Sequence, residues 1–177
     1  DEPAMKFAQE KFDKTNLHFA AGDAMKLDAA TNSFDVVVCS HVYEHVPDAS
    51  QMFSEINRVL KPGGFCYFSG NNRVMLMEPH YKLPFLSLLP RPLAHLYMRV
   101  AGKGDFYHEQ HVSYWALKRL CGEYEVCDYS AKIIAEPVKF GADYMLKPGT
   151  MKWRVANLVA QHLRWATPHI WLLQKPR

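Results

Sequence analysis

The stretch FDVVVCSHVYEHVPD places two imidazoles and a carboxylate, His41, Glu44 and His45, directly after a run of valines. Neutral imidazole takes up a proton near pH 7, so such a turn suits general-base work on a hydroxyl or amine. His45 is the first candidate for that role and His41 the second. Taken singly, each reads as a turn or helix-entry residue bonded to nearby backbone. As a pair at a strand end, one of them is expected to touch ligand. A second cluster, DFYHEQHVSYW, holds Tyr107, His108, Glu109 and His111. Its HxxH spacing is one residue short of the HExxH zinc-protease arrangement, so no metal is expected there. Tyr107 and His108 are expected to reach toward a bound acceptor instead.

The elements that must position these groups follow from periodicity. Pro3 to Phe12 has apolar residues at helical spacing. Asn16 to Asp23 reads as a short strand, and Phe34 to Cys39 as a strand buried on both faces of a parallel sheet. Asp48 is an N-cap with Gln51 as its capping-box partner. Phe53, Ile56 and Leu60 recur on one helical face, Pro62-Gly63-Gly64 ends that helix, and Phe65 to Ser69 forms the next strand. From Asn71 to about Gln110 the pattern breaks into a Pro-, Leu- and aromatic-rich segment that reads as a helical insertion or lid. Ser113 caps a helix, Tyr124 to Ile134 reads as a strand, and Met151 to Arg164 is an amphipathic helix whose apolar stripe is expected to pack as core. His169 to Lys175 is the last strand. Strands alternating with helices predict an α/β fold with an open, mostly parallel sheet, whose ligand lies beyond the carboxyl ends of the strands. The turns at Gly22-Asp23, Ser40-His41 and Gly70-Asn71-Asn72 are three such ends.

Hydrophobic residues make up 49% of the 177 and charged residues 22%, which excludes a disordered chain. The four cysteines form no CxxC pair, and Cys39 and Cys66 lie in apolar strands. Reduced, buried thiols and a cytoplasmic setting are therefore expected. Charge is unevenly placed. Residues 71–104 carry +4 and residues 147–177 carry +6, leaving −7 elsewhere in a chain whose net charge is +3. This split is as compatible with a solvated surface as with an anionic partner such as the inner membrane face. The basic residues are dispersed and form no nucleic-acid-binding module.

Residues AAGDAMKLDAATNSFDVVVCSHVYEHVPDASQMFSEINRVLKPGGFCYFSG resemble the second half of a class I S-adenosylmethionine-dependent methyltransferase, of the small-molecule type with LEHVPD…RVLKPGG stretches. The resemblance covers Pro3 to about Asn72, and the last strands by topology only. It implies a Rossmann-like sheet of order 3-2-1-4-5-7-6 with helices on both faces and an antiparallel last strand. Residues 1–177 would form a single domain carrying a substrate insertion at 71–112. It further implies S-adenosylmethionine as cofactor and a small-molecule acceptor as substrate; the apolar lid alone points to an amphipathic acceptor, a hydroxyl of a lipid-linked or sugar-containing intermediate. Asp23 would accept from the adenine amino group with the Ala24 backbone beside the ring. Ser40 and His41 would lie against the methionine part. Glu44 would stand near the methyl group or acceptor with His45, and Asn71 and Asn72 would face the acceptor pocket.

The chain departs from the resemblance in one respect: no GxGxG loop occurs anywhere, and strands 1 and 2 of that order are missing. The resemblance puts the ribose-binding acid a few residues before Asp1, so Asp1 is not assigned that role. The expectation is a partial domain that binds cofactor poorly by itself. The competing reading is a non-catalytic module for a membrane surface or a partner. A nicotinamide-dependent oxidoreductase is the least favoured, because it too needs a glycine loop. The oligomeric state is not legible.

Overall fold

A computed structural model describes residues 2–12 and 15–177. Asp1 lies outside the described residues. A four-stranded sheet of order β1-β2-β6-β5 forms the centre. β1 (Phe34–Ser40) runs parallel to β2 (Leu60–Gly70). β6 (His169–Gln174) lies antiparallel between β2 and β5 (Glu125–Asp128). This is the 4-5-7-6 portion of the expected order, with the antiparallel strand in its expected place. Among the described residues the sheet is mixed, with one parallel pairing and two antiparallel ones.

Helix α2 (Ala49–Val59) connects β1 to β2. The Asp48 carboxylate caps it by accepting the Gln51 N–H at 3.1 Å. The Gln51 side chain does not complete a capping box. It donates to the Met25 carbonyl at 3.3 Å and, with Arg58 on the Leu27 and Ala29 carbonyls, draws the 23–30 loop onto the helix. Met52, Phe53, Ile56 and Val59 are buried against the sheet, each burial contributing about 1.5–3 kcal/mol. Helix α4 (Tyr114–Leu120), capped by Ser113, adds Leu117 to the same side. The main core is this layer: Cys39, Cys66, Phe68, Trp171 and Leu173 from the strands, Phe53 and Leu117 from the helices. Burial pushes the Cys39 and Cys66 thiols up to about 12, so both are inert.

The opposite face is covered unevenly. Helix α5 (Ser130–Ala135) and Phe140 lie over Tyr67, Ile170 and Leu172. The cover stops short of β1, where Val36 and Val38 are 47% and 69% exposed. The expected burial of this strand on both faces therefore fails on the valine side and is met only by Cys39 on the other.

Three further expectations are corrected. Asn16 to Asp23 forms no strand beyond a bridge between Asp23 and Lys26, because no described strand lies beside it to take its hydrogen bonds. Tyr124 to Ile134 is not one strand: the Asp128 carboxylate accepts the Ser130 N–H at 2.9 Å and turns the chain into α5. Helix α6 (Met151–His162) does not bury its apolar stripe. Met151, Val155 and Leu158 are 72%, 54% and 59% exposed. The inward face holds Trp153, whose indole N–H donates to the Ile134 carbonyl at 3.0 Å, and the buried Ala160. The N-terminal helix α1 (Glu2–Lys11) forms as expected, with Phe7 exposed on it.

Residues 71–112 are an elaboration at the carboxyl ends of the strands. A two-stranded hairpin, β3 (Met77–Glu78) and β4 (Leu83–Pro84), is followed by a 3₁₀ turn at Leu86–Leu88 and helix α3 (Arg91–Val100). This segment has its own small core of Leu83, Leu86, Ala94, Met98 and Tyr107, separate from the main one.

Candidate active site

β1 and β2 end side by side, and their last serines lock the ends together: Ser40 Oγ and Ser69 Oγ share a hydrogen bond of 2.7 Å. The chain then turns sharply at His41, whose φ of +53° lies in the left-handed region. Such a backbone costs roughly 1–3 kcal/mol and persists only where its surroundings enforce it. Two contacts do so. The His41 N–H donates to the Ser69 carbonyl at 2.9 Å, and the Tyr43 ring anchors the turn from below.

Tyr43 is fully buried and joins three segments. Its phenol donates to the Asn71 carbonyl beyond β2 and accepts the Val112 N–H at 3.4 Å. Burial raises its pKa above the ordinary tyrosine value, so it stays a donor. A Cβ at Gly70 would sit 2.5 Å from Tyr43 Cε1, so only glycine lets the ring pass. Sequence reasoning missed Tyr43. The available signal was a lone aromatic inside an otherwise polar turn.

Around this anchor the structure brings together Ser40, His41, Glu44 and Asn71. Glu44 is completely buried, and its backbone carbonyl accepts the Gln110 N–H at 2.8 Å. His41 Nδ1 lies 3.4 Å from Glu44 Oε1, but at an angle that makes no hydrogen bond. Both Glu44 oxygens thus lack a hydrogen-bond partner among the described residues. Asn71 Nδ2 is 3.5 Å from the same imidazole nitrogen. His45 is exposed, and its ring stands edge-on to His80 at 5.0 Å between centroids.

Two candidates, Tyr107 and His108, are placed differently from expectation, while Asn72 lines an apolar cavity together with Asn71, as expected, with its amide already engaged by backbone. Its amide nitrogen donates to the Trp165 and Thr167 carbonyls at 2.6 and 3.0 Å, and its oxygen accepts the Val74 N–H at 3.0 Å. It staples the end of β2 to the segment leading into β6. Tyr107 is buried in the small core, where burial raises its pKa, and it lines a separate polar cavity of about 250 Å³ with Arg73, Arg91, Glu109 and His111. His108 is exposed beside Phe106. The two histidines of the HxxH pair therefore part company, because His111 turns inward, where burial lowers its pKa.

Asp23 is exposed, and its Oδ1 accepts the Met25 N–H at 2.8 Å, fixing the turn that presents it. Ala24, half-buried, packs against the main core. The carboxylate suits an exocyclic amine and the strained Ser40-His41 turn suits a polar chain end, so these residues fit two parts of an S-adenosylmethionine molecule.

An apolar cavity of about 420 Å³ lies at this end. Asn71 stands at its polar side. Its walls come from Leu76, Phe85 and Leu88 of the 71–112 segment and from Val159, Leu163 and Trp165 at the end of α6. Leu163 and Trp165 thus line a cavity instead of packing in a core.

Residues 1–68 match the family described as Methyltransferase domain. Demethylmenaquinone methyltransferase of Staphylococcus haemolyticus is 39% identical over 77 residues, covering 42% of this chain and 32% of that protein. Sterol 24-C-methyltransferase of Aspergillus fumigatus is 40% identical over 63 residues, covering 36% of this chain and 17% of that protein. The chain spans about a third or less of the length of these relatives. The solved structure of an S-adenosylmethionine-dependent methyltransferase from Mesorhizobium loti superposes with a TM-score of 0.56 at 16% identity, over 99% of this chain and 77% of that one. The chain shares the fold of that S-adenosylmethionine-dependent methyltransferase structure, and its first 68 residues are similar to the Methyltransferase domain family.

Proposed function

We propose that this protein transfers a methyl group from S-adenosylmethionine to a hydroxyl of a lipophilic small molecule. The observation that carries the reading is the 420 Å³ apolar cavity opening beside the His41 turn at the carboxyl ends of β1 and β2. An acceptor with a largely hydrocarbon body fits such walls, and the names of the demethylmenaquinone and sterol relatives point to acceptors of this kind. Residues 71–112 act as the substrate-binding insertion in this reading.

S-adenosylmethionine supplies a methyl carried on a sulfonium, to be displaced in line by the acceptor oxygen. Asp23 accepts from the adenine amine with the Ala24 backbone beside the ring, and Ser40 and His41 hold the methionine end. Positioning supplies most of the acceleration. As the oxygen–carbon bond forms, the hydroxyl proton passes to imidazole. The geometry favours His41 over His45, reversing the order of the two candidates. His41 Nδ1 stands 3.4 Å from the buried Glu44 carboxylate, so an acidic group lies beside the imidazole that would take the proton.

The test is isothermal titration with S-adenosylhomocysteine followed by methyl transfer to lipophilic phenols. Asp23→Ala should weaken cofactor binding by roughly 10-fold or more, the loss of a charge-assisted hydrogen bond. His41→Ala should remove transfer while weakening cofactor binding less than Asp23→Ala does. Unchanged cofactor affinity in Asp23→Ala would defeat the assignment.

A peripheral membrane contact is the second reading, favoured by the exposed stripe of α6. Met151, Val155 and Leu158 face solvent, with Lys152 and Arg154 beside them and no acidic residue from 147 to 177. Among the described residues no helix is long and apolar enough to cross a membrane. A surface-lying helix of this kind presents apolar residues to acyl chains and cations to anionic headgroups. Co-sedimentation with anionic vesicles, lost in Leu158→Glu, is the expected result.

A further inference from the structure

We propose that Glu78, His80 and His111 form a binding site for one divalent ion of the zinc type. The residues come from the β3 hairpin and from the segment entering α4, and the fold brings one ligand atom of each within 4.8 Å of the others. Glu78 Oε1 is the shared point, 2.6 Å from His80 Nδ1 and 3.4 Å from His111 Nε2. In tetrahedral zinc coordination, bonds of about 2.0–2.2 Å set neighbouring donor atoms about 3.3–3.6 Å apart. The Glu78–His111 pair already has that separation. His80 reaches solvent and needs to withdraw by less than about 1 Å for an ion to enter.

The surroundings match a ligand set. The other Glu78 oxygen, Oε2, accepts the Tyr81 N–H at 2.8 Å, which orients the carboxylate and leaves Oε1 for the ion. Two imidazoles and one carboxylate suit zinc or a neighbouring first-row ion and leave a coordination position open. Magnesium and calcium prefer oxygen alone.

A second observation points to positive charge here. Glu44, completely buried and without a hydrogen-bond partner, forms an overlapping group with His45 and the same His80. Two buried carboxylates around one imidazole demand compensation. Ion binding stands independently of the proposed methyl transfer. Only a role toward the acceptor rests on that reading, because Glu44 links the cluster to His41 and Asn71 beside the apolar cavity.

The test is titration of the chelator-treated protein with Co²⁺, read by visible d–d absorption, then displacement by Zn²⁺. One equivalent should bind with the intense bands of a four- or five-coordinate site. His80→Ala and His111→Ala should each weaken binding by about 100-fold or more, while His108→Ala, on the exposed histidine, changes nothing. Because the His80 ring lies partly in solvent, its variant decides the matter if His111→Ala fails to fold. Absence of a saturable Co²⁺ spectrum, or unchanged affinity in His80→Ala, overturns the site. Saturable Co²⁺ binding supports the ion site whether or not S-adenosylhomocysteine binds, which keeps the outcome for the site distinct from that for methyl transfer.

Discussion

Helices α2 and α6 carry similar sequence signals and have opposite fates. Both begin at a side-chain cap, Asp48 on the Gln51 N–H and Thr150 on the Trp153 N–H. Both have apolar residues at helical spacing. In α2 that stripe meets the sheet and disappears into the core. In α6 it faces solvent, and a different face, centred on Trp153 and Ala160, makes the packing contacts. A periodic apolar stripe therefore says that a face seeks an apolar partner. It does not say that the partner is the protein's own core.

The contrast can be broken or sharpened by experiment. Phe53→Ala in α2 should cost about 3–5 kcal/mol in chemical denaturation, as for other large-to-small core changes. A loss below about 1 kcal/mol would mean the α2 stripe is no better packed than that of α6. Acid should attack the same core through His169. Burial holds its pKa down at about 4, against 6.5 unperturbed. The unfolded state then binds the extra proton between those values. Stability should be complete above about pH 6.5 and fall by roughly 3 kcal/mol as the pH drops to about 4, a loss that His169→Phe should flatten.

Asn72→Ala severs the staple between β2 and the segment after α6, and should cost about 1–3 kcal/mol while freeing that segment to exchange its amides faster. Removing the caps should separate the helices by mechanism. Asp48→Ala should lower global stability by about 1 kcal/mol, whereas Thr150→Ala should show mainly as faster local hydrogen exchange in α6. The smallest effect belongs to Leu158→Ala, within about 0.5 kcal/mol, because its side chain is already in water.

What was legible in the sequence followed local chemistry. The strand from Phe34, the Asp48 cap and the 71–112 break each rest on a few neighbouring residues and appear in the structure, whereas the Pro62-Gly63-Gly64 stop does not: the helix ends at Val59, and those three residues lie inside β2, which already begins at Leu60. The Asn16–Asp23 strand failed because a strand exists only through its neighbour, which no local pattern reports. The α5 turn was hidden by the apolar Ile133 and Ile134, which outweighed a single carboxylate at Asp128. At the site, the strand-end serine and His41 were visible from their position. Tyr43, the double use of Asn72, and the meeting of Glu78 with His111 were not, since each joins residues 28 to 95 positions apart.

The position of β6 has a consequence for biosynthesis. It lies between β2 and β5 although it follows both in the chain, and Lys175 just beyond it donates to the Asn57 and Leu60 carbonyls at 2.8 Å. During translation, β1, α2 and β2 emerge first and can pair, but β5 has no described partner in the sheet until residues 169–174 leave the ribosome. For about 100 residues of elongation, some 5–20 seconds at ordinary rates, the inner edge of β2 stays open. Chaperones that shield nascent strand edges should therefore engage this chain early and release it only when its last strand arrives.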